Sequence, residues 1–138
     1  MTKILPDAER ILSSYLRSRS EITALVDQRV YTELPKKKTD RVFPLVRVSR
    51  IGGGPTTSPN FLDRALVSFD AFGGTKYQAR ELAATISFVL DEIAGYTIHD
   101  GYSTGSSPGS YRYLPDDSFE PAKPRYLLDA VVFLRPTP

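Results

Sequence analysis

The chain has no cysteine and no tryptophan, and only one methionine and one histidine among 138 residues. Without cysteine there are no disulfides, no thiol nucleophile and no cysteine-type zinc site. A lone histidine, His99, cannot build a multi-histidine metal centre. Ser-His-Asp catalysis needs a placed nucleophile, and no G-x-S-x-G stretch or equivalent occurs. Net charge is also scarce: 18 basic against 16 acidic residues give +2, too balanced to argue for nucleic acid or an anionic membrane as a partner. No run approaches the roughly 18–20 apolar residues of a spanning helix. The opening "MTKILPDAER" meets charge too early for a signal peptide. What is present is ordinary, 41% hydrophobic and 25% charged, and the length suits one domain with one core over residues 1–138. The sequence therefore predicts no catalytic residue, no cofactor and no metal.

Periodicity supplies the elements. Ala8, Ile11, Leu12, Tyr15 and Leu16 fall on one helix face, with Pro6 and Asp7 suited to its start. "SEITALV" reads as a second short helix with Ser20 as N-cap. "RVYTEL" is a brief strand and "PKKKTD" a polar loop. "RVFPLVRVSRI" is a strand with Pro44 at an edge or bulge. "DRALVSFDAFG" is a strand with clean alternation. "GTKYQARELAATISFVLDEIAG" is the clearest element, a helix opened by a Thr75/Gln78 capping box, striped by Leu82, Ile86 and Leu90 and stopped at Gly95. "GYSTGSSPGS" reads as a turn or mobile loop. "RYLLDAVVFL" is a strong final strand, apolar on both sides, as a central strand covered on both faces would be. The fold class is α+β, with flexible loops near 34–41, 52–62 and 101–124.

Few residues invite a functional reading. "RIGGGPTTSPNFLDRA" places Gly52, Gly53, Gly54, Pro55, Thr56 and Thr57 between two strands. A phosphate cradle wants strand, glycines, then helix, together with a Gly-Lys-Ser/Thr step. The order here is that of a hairpin tip. Lys36, Lys37 and Lys38 form a charge run, read as a solvated loop or as a cationic finger for DNA or an acidic neighbour. Asp116 and Asp117 suit an Asx turn, and Asp91 and Glu92 a solvent-facing helix end. Tyr96, Tyr102, Tyr111, Tyr113 and Tyr126 are either interface anchors or half-buried strand residues. In the last strand Val131 and Phe133 oppose Val132 and Leu134. One set needs cover from a neighbouring subunit or from a loop such as 101–124.

"ITALVDQRVYTELP", "FPLVRVSRIGG" and "VSFDAFGGTKYQARELAATI", followed by "YLPDDSFEPAKPRYLLDAVVFLRP", resemble the tail terminator (tail completion) proteins of long-tailed bacteriophages over most of residues 20–136. The resemblance implies a twisted, mainly antiparallel sheet with helices packed on one face. It implies a homo-hexameric ring that caps the head-proximal end of the tail tube, stops its polymerisation and joins the tail to the head connector. The implied partners are further copies of the chain, the tail tube protein and a head-completion or connector protein. DNA would pass through the lumen without sequence-specific binding, and no membrane is involved. The implied location is the virion, after synthesis in the host cytoplasm. The glycine run, the lysine run and Val131 with Phe133 then become interface candidates. The alternatives are another connector component, such as a head-completion or tail tube protein, or a small ligand-binding domain.

Overall fold

In a computed structural model, residues 5–55, 62–98, 100–119 and 121–137 are described. Thr56, Thr57 and His99 lie outside them. Among the described residues three α-helices, α1 (Ala8–Ser18), α2 (Ser20–Val26) and α3 (Lys76–Leu90), accompany six strands. The strands are β1 (Val30–Tyr31), β2 (Leu45–Pro55), β3 (Asp63–Phe72), β4 (Thr97–Ile98), β5 (Gly101–Tyr113) and β6 (Arg125–Pro136). They form one sheet in the order β1-β2-β3-β6-β5-β4. Among the described strands only the β1–β2 pairing is parallel. This is the α+β class expected.

All three helices pack on the same face of the sheet. Their buried residues Ile11, Leu12, Leu16, Ile22, Val26, Leu82, Ile86 and Leu90 share one core with Val46, Val48, Val67, Phe69, Leu128, Val132 and Leu134. The alternation of β3 and β6 decides which residues these are, since successive strand side chains point to opposite faces. Local signals set the helix starts. The Asp7 carboxylate accepts from the Arg10 amide at 3.1 Å. Thr75 Oγ1 accepts from the Gln78 amide at 3.1 Å, and Gln78 Oε1 accepts from the Gly74 amide at 2.9 Å. Ser20 is the first helical residue of α2, not its cap; Arg19 holds the cap position without a side-chain cap bond. Arg19 instead spans the helices. It donates to Glu21 at 2.8 Å and Glu92 at 2.6 Å, and to the Tyr15 hydroxyl, which itself donates to the Val89 carbonyl.

Two segments depart from the sequence reading. Residues 101–113 are a strand, not a loop. They have few strand-forming residues, but β5 is an edge strand beyond its short pairing with β4, and hydroxyls fasten it. Ser103 Oγ donates to the Phe133 carbonyl at 3.0 Å, and Ser106 Oγ to the Leu90 carbonyl at 2.7 Å. Asp129 accepts from the Ser110 amide at 3.0 Å, and a Cβ at Gly109 would run into that carboxylate. Register shifts at Ser103/Gly105 and Pro108/Tyr111 absorb the irregularity.

The glycine run is also strand: Gly52, Gly53, Gly54 and Pro55 pair with Leu66, Ala65, Arg64 and Asp63. The hairpin geometry stands, but these four residues are its arm, and Thr56 and Thr57 fall outside the described residues. A bulge at Ile51 precedes them. Arg50 pins the bulge by donating through two nitrogens to Asp63, at 2.6 and 2.7 Å, and through Nε to the Gly52 carbonyl at 3.1 Å. Asp63 is fully buried. Gly53 has φ +80, and a Cβ there would meet the Arg64 carbonyl oxygen, so a side chain is barred by both conformation and space.

The packing makes two measurements informative. Leu82→Ala empties a site that is 1% exposed; its unfolding free energy should fall by about 2–5 kcal/mol in urea titration. Arg50→Ala strands a buried carboxylate, and a loss of about 3–5 kcal/mol is expected. Arg50→Lys should recover only part, because an ammonium cannot reproduce the two-pronged contact. A loss below about 0.5 kcal/mol, the size typical of surface sites, would contradict either assignment.

Candidate interaction surfaces

The face of the sheet opposite the helices divides into two halves. Its lower half is covered from within the chain. Leu45, Phe72 and Phe119 form a second small core with Tyr31, Leu34 and Phe43 packed against it. Beside it, Asp70 accepts from Arg47 and stands 3.8 Å from Arg125, which in turn reaches Asp116 at 3.8 Å. The segments before β2 and between β5 and β6 provide this cover, and the Asx turn expected at Asp116 is there: its carboxylate accepts from the Ser118 amide at 2.9 Å. Burial opposes the charge on Asp116, but the Ser118 bonds together with Arg125 and Arg47 outweigh it and lower its pKa.

Among the described residues the upper half has no such cover. Gly52, Leu66, Val131 and Ser107 lie in register across β2, β3, β6 and β5, and Gly54, Arg64, Phe133 and Gly105 form the next row. Leu66, Val131 and Phe133 are half-buried, and Ile51 at the bulge is 55% exposed. The result is an apolar band bordered by Arg64, which is exposed and forms no ion pair among the described residues. Strand β6 is central in the sheet, as its composition suggested, but at this end it is covered on one face only. Residues 101–113 cannot shield it, because they are its neighbour in the same sheet.

On the helix side a groove of about 420 Å3 runs between α3 and β5, lined by Ala84, Phe88 and Asp91 on one wall and Pro108 on the other. Phe88 is 57% exposed and Tyr77, on the same outer side of α3, 70%. Sequence reading missed both. They form a second apolar stripe with Ala84, spaced seven and four residues apart, behind the more regular Leu82 stripe. Tyr111 stands at the end of the groove and stacks on Tyr126 with ring centroids 5.5 Å apart. Tyr113 packs on Tyr126 at 5.3 Å and Tyr96 on Tyr15 at 4.9 Å. These tyrosines thus mostly pack within the subunit. Asp129 and Ser106 are engaged as described above; Asp91 is exposed and makes no ion pair among the described residues.

The lysine run is not one unit. Lys36 and Lys37 are exposed, whereas Lys38 opens a 3-10 turn, donates to the Ser118 carbonyl at 2.8 Å and lies over the Phe119 ring. Among the described residues no group of three or more His, Asp or Glu is placed to hold a metal. No helix among them is long and apolar enough to cross a membrane. The groups with displaced pKa serve structure. Burial raises that of Tyr15, and the Arg19 guanidinium holds Glu21 at about 2.

No curated protein matches this chain. Among solved structures, a chain from the virion of a native gene transfer agent (GTA) particle superposes with a TM-score of 0.67 at 14% identity, covering 93% of this chain and 95% of that one. That likeness is one of fold. The sequence model of the phage tail termination protein family matches residues 4–105. The chain therefore belongs to the phage tail termination proteins, a family of structural virion proteins rather than enzymes.

Proposed function

We propose that the chain is the tail terminator of a long-tailed bacteriophage. Six copies close into a ring on the head-proximal end of the tail tube, end its polymerisation and present a surface to the head-completion or connector protein. DNA passes through the lumen without being read. The observation that carries this reading, beside family membership, is the bare upper half of the open face. A broad apolar band is not normally left in water by a monomer, and Val131 and Phe133 lie at its centre. In the ring the band is covered by the next subunit. The hairpin arm Gly52–Pro55 faces a neighbouring ring, Thr56 and Thr57 lying outside the described residues, and Lys36 and Lys37 offer exposed charge to an acidic neighbour.

A variant Phe133→Asp puts a charge in the band without touching the core. Native mass spectrometry should find the wild-type chain as a closed species of six copies, and the variant as a monomer with an unchanged circular dichroism spectrum. In phage carrying the variant, electron microscopy should show unjoined heads and tails or tails of abnormal length. Open-ended filaments of the wild-type protein would point instead to a tube protein, and six-copy rings of the folded variant would remove Phe133 from the interface.

A further inference from the structure

Among the described residues, neither the open-face band nor the groove between α3 and β5 is covered by another segment of the subunit. We propose that they are each other's partner in adjacent copies: the groove of one subunit receives the Ile51–Leu66–Val131–Phe133 band of the next. The proposal rests on the ring reading and names the contact that builds the ring.

Backbone pairing between subunits is disfavoured along much of β2 and β5. The edge of β2 is covered by β1 at Val46 and Arg47. Farther along, the Arg50 amide donates to the Glu9 carboxylate at 2.9 Å, so α1 caps the exposed edge. The edge of β5 carries Pro108 and two register shifts. These are the devices that stop a sheet from adding a strand. These features favour contact through side-chain surfaces.

The two surfaces lie apart in a way that suits a ring. The groove is on the helix face at the β5 side, while the band is on the open face and reaches the β2 edge at Ile51. A contact between two different surfaces leaves one of each free on every pair, so addition continues until rotation closes the ring. Their chemistry is complementary. Ile51 and Phe88, both more than half exposed, gain apolar burial. Asp91 in the groove and Arg64 beside the band are opposite charges, neither paired within the subunit among the described residues. Groove against groove would set Asp91 near Asp91, and band against band would set Arg64 near Arg64, each a repulsion that selects against the wrong pairing.

The absence of cysteine makes the test clean. Phe88→Cys and Ile51→Cys are made singly on the full chain, both at exposed positions, and treated with a short bismaleimide. The expected result is a covalent pair only when the two variants are mixed, with one chain of each, while either alone stays uncoupled. A chain carrying both substitutions should give a ladder that stops at one closed size. Self-coupling of Phe88→Cys, or no coupling in the mixture, overturns the proposal. If six-copy rings form without this cross-link, the ring reading survives and the contact does not. If the cross-linked ladder runs on without closing, the contact survives and the ring reading does not.

Discussion

One-sided cover of the sheet is the constraint on which everything else depends. α1, α2 and α3 bury one face completely enough that Val132, Leu134, Val67 and Phe69 lose all contact with water. With no further α-helix among the described residues, the opposite face is managed by other means. The chain solves half of the problem internally, by folding Phe43 and Phe119 back over Phe72 and by neutralising Asp70 with Arg47 and Arg125. It leaves the other half, at the end of the sheet where β2 and β3 make their hairpin. This apolar surface, left open by the described residues beside a half that they cover, is the one proposed to meet the next subunit.

The same end of the molecule is stiffened. The Arg50–Asp63 pair, the Ile51 bulge and the narrow approach at Gly53 fix the path of the hairpin arms. A hairpin that must present a contact surface gains from this, because less freedom is lost when the contact forms. The capping of the β2 edge by Glu9 and the irregular β5 edge work in the same direction. They suppress strand addition, which has no natural end point, and leave association to side-chain surfaces, whose geometry limits the number of subunits. For a protein whose proposed task is to end a polymer, that distinction matters.

The fold was legible wherever a single pattern governed a segment. The Thr75/Gln78 capping box and the Leu82–Ile86–Leu90 spacing located α3, and the alternation of β3 located its two faces. Strand β6 announced the open face, because Val131 and Phe133 oppose Val132 and Leu134 and helices on one side cannot cover both sets. Strand β5 was not legible. Its conformation depends on Ser103, Ser106 and Ser110 hydroxyls and amides reaching partners on α3 and β6, and tertiary bonds of that kind leave no trace in local composition. The glycine run misled for a related reason: Gly53 is required by the nearness of the Arg64 carbonyl across the hairpin, a neighbour eleven residues away in sequence. The groove was hidden because Phe88 and Tyr77 interrupt the polar side of a helix whose buried stripe was easier to see.

On the proposed reading, the open upper face of the sheet is buried by another copy of the same chain in the assembled particle. An electron cryomicroscopy reconstruction of the head–tail junction tests it most directly. The expected result is a closed ring at the head-proximal end of the tail tube in which Leu66, Val131 and Phe133 are inaccessible to solvent and packed on the next subunit. A ring in which that face is open to solvent or to the DNA channel, or is covered by the tube protein instead, would contradict it.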